Sequence, residues 1–125
     1  MVALLRTRRN ASDPIDQLSH DLKLAAGNPS RFPRTSKLLT AGVPQQAKKM
    51  AEEATELAIE AVRGDKVAAV QEAADLIYNL VVLLEGLDLS FDDVRRELER
   101  RRNAYGIAAK QPKPGSGATE NGSSR

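Results

Sequence analysis

The chain has 125 residues, a formal net charge of +2 and a pI near 9.1, which bounds it at one domain. It holds no cysteine, so disulfides, zinc–thiolate sites and thiol nucleophiles are excluded and nothing calls for an oxidising compartment. Apolar residues make up 41% but aromatic residues only 3%, leaving a core of Ala, Leu and Val that suits helix packing better than sheets.

Residues 1–13 read as a basic, irregular leader, with too short an apolar stretch for a signal peptide. No segment reads as a membrane span, and the expected location is the cytoplasm. Asp13-Pro14 is an N-cap and first-turn pair, after which Ile15, Leu18, Leu22 and Ala25 recur at helical spacing until Gly27. A turn-rich loop, NPSRFP, leads to a brief helix over Thr35 to Ala41 that stops at Gly42. A longer helix begins near Pro44, with Ala47, Met50, Ala54, Leu57 and Ala61 as its expected seam. On the same helix Lys49, Glu53, Glu56 and Glu60 form a separate polar stripe, with Glu52 at its edge.

Arg63 and Gly64 close that helix, and Asp65 caps the next. The run VAAVQEAADLIYNLVVLLEGL is apolar on nearly every side, with Val67, Val70, Ala74, Ile77, Val81 and Leu84 as seam. So short a turn makes the two long helices an antiparallel hairpin. Ser90 with Asp93 three residues on opens a further helix, rich in Arg and Glu and ending near Tyr105-Gly106. The helical domain is thus expected over residues 14–106. Residues 107–125 lack a core pattern and are expected to be a disordered tail.

The acids carry the chemistry. Glu53 and Glu56, and then Glu72 and Asp75, are each three residues apart, one turn apart on one helix face. Glu72, Asp75 and Asn79 share a stripe of an otherwise apolar helix, where an unpaired carboxylate costs several kcal/mol or so. A hairpin brings the two acidic pairs face to face, and oxygen-only donors suit Mg²⁺ or Mn²⁺. The single histidine, His20, is remote from the acids in sequence, which disfavours di-iron chemistry of the Glu-x-x-His kind. Taken alone, EEATE also fits a solvated helix face, and Asp75 also fits a buried ion pair.

EEATE followed by ExxD resembles the signature of the all-α, MazG-like nucleotide pyrophosphohydrolases. The longer run from KKMAEEATE to DVRRELERR, preceded by PRTSKLLTAGVPQQA, is similar to one branch, the phosphoribosyl-ATP pyrophosphatases of histidine biosynthesis. The likeness covers Ile15 to Arg101. The branch usually has Gly where Ala51 stands and often His where Asn79 stands. The resemblance implies hydrolysis of phosphoribosyl-ATP between its α and β phosphates, releasing pyrophosphate and phosphoribosyl-AMP. It implies Glu53, Glu56, Glu72 and Asp75 as ligands of Mg²⁺ or Mn²⁺, with Glu52 a further ligand or the group orienting the water. Lys49 would meet phosphate or balance the carboxylates, and Arg34, Thr35 and Lys37 would hold the remaining phosphates. Surface charge and helix capping are the plainer roles for these groups.

More seam residues are present than one hairpin can bury, so a homodimer with a four-helix-bundle core is expected. Its partners would be a nucleotide substrate and a second copy, with neither nucleic acid nor membrane. Two other readings stay open at this level. One is a house-cleaning pyrophosphatase acting on ordinary or damaged nucleoside triphosphates with the same metal site. The other is a non-catalytic basic helical dimer that binds nucleic acid or protein.

Overall fold

In a computed structural model residues 13–106 are described, and they form five α-helices: α1 (Pro14–Ala26), α2 (Pro33–Thr40), α3 (Val43–Arg63), α4 (Lys66–Gly86) and α5 (Phe91–Tyr105). The all-α architecture expected from composition is what the chain adopts, with no strand among the described residues. Apart from Asp13, the leader and the tail lie outside them.

Local chemistry sets the helix ends. Asp13 Oδ1 accepts the Ile15 N–H at 2.8 Å, and Pro14 at the first turn has no N–H to leave unpaired. α2 starts two residues earlier than the sequence reading had it, because Pro33 takes the same first-turn role there. Gly64 ends α3 with a left-handed φ of 76°, its N–H bonded back to Glu60 and Ala61 carbonyls. Asp65 Oδ1 then accepts the Ala68 N–H at 3.0 Å and starts α4. Only two residues separate the long helices, so α3 and α4 run antiparallel.

The core lies toward the far end of the hairpin from that turn. Leu22 of α1 packs with Val81 and Val82 of α4, flanked by Ile15, Leu18, Leu38, Leu39, Ile77, Tyr78 and Phe91. Val82 is fully buried and Val81 nearly so. Each such side chain contributes about 1.5–3 kcal/mol by leaving water. By length and hydropathy alone α4 is apolar enough to cross a membrane. Glu72, Asp75 and Asn79 interrupt it near the middle, and its buried residues are covered by the protein's own helices.

Two sequence expectations are corrected here. The stripe of α3 turned inward is Gln46, Met50, Glu53, Leu57 and Glu60, whereas Ala54 and Ala61 of the expected seam are exposed. Glu53 and Glu60 therefore share the hairpin seam, while Lys49, Glu52 and Glu56 stay exposed. On α4 the expected seam holds only in its second half, since Val67 (72% exposed), Val70 (70%) and Ala74 face outward. The physical reason is coverage: the core that α1 and α2 help to close involves Ile77 to Val82 of α4.

Gln46 fastens this arrangement. Its side-chain amide donates to the Leu38 and Leu39 carbonyls, both at 3.1 Å, satisfying carbonyls at the end of α2. The side chain is 1% exposed and lies over Gly86.

The second compact unit begins at Asp92 and contains the rest of α5. No α5 residue is buried, and ion pairs at helical spacing line it: Asp92–Arg95 at 2.9 Å, Asp93–Arg96, and Glu97 with Arg100 at 2.6 Å and Arg101 at 3.3 Å. The hydrogen bond from Arg100 holds the Glu97 carboxyl down at about 2.

A methyl group added at Gly86 would stand 2.1 Å from Gln46 Oε1, so Gly86→Ala displaces the end of that buried side chain and strains its two hydrogen bonds. The expected loss is about 1–3 kcal/mol, read as a lower midpoint in urea or thermal unfolding.

Candidate metal centre

The α3–α4 turn sets the register of the acids. Glu56 and Glu72 lie eight residues before and eight after Gly64, and Glu53 and Asp75 eleven before and eleven after. In an antiparallel hairpin, equal distances from the turn mean equal heights. Glu53, Glu56 and Glu72 accordingly converge: one carboxylate oxygen from each lies within 4.8 Å of the others. Asp75 is exposed and is not one of these three, but its charge is felt by both Glu53 and Glu72. The expectation that Asp75 is sunk in an apolar surface is corrected to a carboxylate at the open edge of the cluster.

Such convergence is unfavourable for anions, and it helps to raise Glu72 and Glu53. The Glu72 carboxyl is pushed up to about 6, first by burial, then by its hydrogen bond to Glu56 and by the charges of Glu56, Glu53 and Asp75. Glu53 is raised as well, for the same first cause and by Glu56 and Asp75. Lys49, one turn earlier on α3, opposes this with its ammonium 3.8 Å from Glu53 Oε1. One partly exposed ammonium does not offset three clustered carboxylates.

The donor set fits a hard divalent cation. It is all oxygen, it spans two rigid helices, and Glu72 Oε2 is buried without any hydrogen-bond partner. A buried carboxylate oxygen left unpaired is a site that a proton or a cation can satisfy.

The remaining expected site residues are distributed differently. Glu52 is exposed and lies beside Glu56 along a shallow cleft shared with Lys48, Ala51 and Thr55. Arg34 and Lys37 are on the exposed side of α2. Thr35 points into the protein, its hydroxyl 3.0 Å from that of Tyr78 on α4. Asn79 is buried and donates to the Asp75 carbonyl at 2.8 Å, fastening its side chain to its own helix. The Tyr78 hydroxyl is one of the few polar groups in the α4 run, and nothing in its sequence spacing marks it as the partner of Thr35.

A carboxyl with a raised folded pKa binds more protons folded than unfolded, so its stabilising effect is full below 4.5 and is lost as pH rises through about 6. In EDTA the protein is expected to lose thermal stability across that window. Glu72→Gln should flatten the slope, and Mg²⁺ should restore stability most at neutral pH, where no proton competes.

Comparison with known proteins identifies the family. The sequence profile of the phosphoribosyl-ATP pyrophosphohydrolase family matches residues 16–102. A Rhodopseudomonas palustris protein named phosphoribosyl-ATP pyrophosphatase 2 is 41% identical over 102 residues, covering 82% of this chain and 78% of its own. Phosphoribosyl-ATP pyrophosphatases of Roseobacter denitrificans and of a Jannaschia species are 51% and 39% identical. The first match covers 62% of this chain and 73% of the relative, and the second 78% and 95%. With the profile spanning α1 through most of α5, and with both halves of its acidic hairpin in place, the chain belongs to the phosphoribosyl-ATP pyrophosphohydrolase family.

Proposed function

We propose that this protein hydrolyses phosphoribosyl-ATP to phosphoribosyl-AMP and pyrophosphate, the reaction of histidine biosynthesis for which its relatives are named. The observation that carries the mechanism is the convergence of Glu53, Glu56 and Glu72 across one hairpin, with an orphaned buried oxygen on Glu72. A triphosphate is repelled by such a cluster unless a cation intervenes. Glu53, Glu56 and Glu72 would hold Mg²⁺ or Mn²⁺, with Asp75 completing the set from the open edge. When bound, the ion supplies positive charge to phosphate oxygens and acidifies water.

The chain's own residues then divide the work. Glu53, Glu56 and Glu72 fix the centre on two helices, so that little rearrangement is needed as substrate arrives. Glu52, exposed one turn before Glu56, would be a further ligand or orient the attacking water. Lys49 holds Glu53 and, being half exposed, can meet a phosphate oxygen. Arg34 and Lys37 offer further cations to the pyrophosphate end, and Thr35 joins α2 to α4 through Tyr78.

We also propose that the working unit is a homodimer. Val62, Val67 and Val70 are 89%, 72% and 70% exposed, with Ile59 half exposed beside them at the turn end of the hairpin. A second hairpin laid on this ridge would complete a four-helix bundle.

Two measurements test these readings. Pyrophosphate release from phosphoribosyl-ATP and from a panel of nucleoside triphosphates, with and without Mg²⁺, should show metal-dependent preference for phosphoribosyl-ATP. Glu56→Gln and Asp75→Ala should each lower kcat by about a hundredfold or more while leaving the fold intact. A preference for a standard triphosphate, or full turnover in both variants, would remove the assignment. Sedimentation equilibrium should give a dimer, and Val67→Glu with Val70→Glu should yield monomer.

A further inference from the structure

A second concavity, of about 450 Å³, opens between α1, the 27–32 loop, α2 and α4. Its walls include Asp21, Leu22, Arg31, Phe32, Thr35 and Tyr78. Its size and its apolar walls with a few polar groups are those of a small-molecule site. Phe32 is a large aromatic left 37% exposed, in a chain that has only two phenylalanines. The Arg31 guanidinium lies 5.2 Å above its ring. Asp21 is the one carboxylate of the lining and Arg31 the one cation.

Position ties this cleft to the acids. Tyr78 follows Asp75 by three residues on α4, about 4.5 Å along the axis and about 60° around it. Its hydroxyl meets Thr35 within the cleft wall. Measured from Glu72, Tyr78 is about 9 Å further along the helix and about 120° around it.

We propose that this cleft is the subsite for the phosphoribosyl-adenine half of the substrate, with Phe32 and Asp21 receiving the N1-substituted purine and Arg31 the terminal phosphate. The inference rests on the reaction proposed above. The chemistry matches at each point. An adenine carrying a ribosyl group on N1 is an amidinium base that holds a positive charge near neutral pH, whereas the adenine of ATP is neutral. A carboxylate beside an aromatic face favours the charged ring by ion pairing and by stacking. Arg31 adds a fork of N–H donors for a phosphate that ATP does not have at that end. The cleft therefore selects phosphoribosyl-ATP over ATP, by contacts that leave the metal centre untouched.

Binding of phosphoribosyl-AMP and of AMP to the full chain, measured calorimetrically in EDTA, separates this subsite from catalysis. The wild type should bind phosphoribosyl-AMP more tightly than AMP. Asp21→Asn, Phe32→Ala and Arg31→Ala should each weaken phosphoribosyl-AMP binding by roughly tenfold and AMP binding less, and each should raise KM for phosphoribosyl-ATP more than it lowers kcat. All three positions are exposed, and unchanged melting temperatures would exclude misfolding. Wild-type discrimination in all three variants, with hydrolysis of phosphoribosyl-ATP intact, would overturn the subsite and leave the proposed reaction standing. A wild type inactive on phosphoribosyl-ATP would overturn both.

Discussion

Mutual repulsion among Glu53, Glu56 and Glu72 is the constraint around which the protein is organised. Left to themselves, three carboxylates with oxygens within 4.8 Å of one another would separate. They stay together because α3 and α4 are tied at one end by the Gly64–Asp65 turn and at the other by packing around Val81 and Val82. The fold thereby holds the acids in an unfavourable setting: burial first, then the neighbouring carboxylates, raises Glu72 and Glu53. A divalent ion is the simplest group that turns this arrangement into a favourable one.

Much of this was legible in the sequence because helix ends are written in local chemistry. Asp13-Pro14, Gly64 and Asp65 act where they stand, through caps that need no distant partner. The rotation of α3 was not legible. Its alanines suggested a seam, yet alanine is tolerated on an exposed face as readily as on a buried one. Gln46 and Glu53 face inward instead, because the buried amide of Gln46 serves α2 carbonyls and Glu53 serves the cluster. Both reasons lie in other helices. The cleft beside Tyr78 escaped notice for the same cause, since its Thr35–Tyr78 contact joins residues 43 apart in sequence.

The exposed and the buried parts of the hairpin complement each other. Its far end is packed by α1 and α2, and its turn end presents Val62, Val67 and Val70 to solvent. The acids lie between these two regions, at the edge of the protein's own core and within reach of an incoming charged molecule.

The two-residue turn has a consequence of its own. It acts as a ruler: a residue inserted within α4 between Asp65 and Glu72 would advance Glu72 by about 1.5 Å and swing it by about 100°. Glu72 would then face away from Glu56 although no acid had been altered. The count of residues from the turn to each acid therefore sets whether the carboxylates meet, as surely as their own identity does.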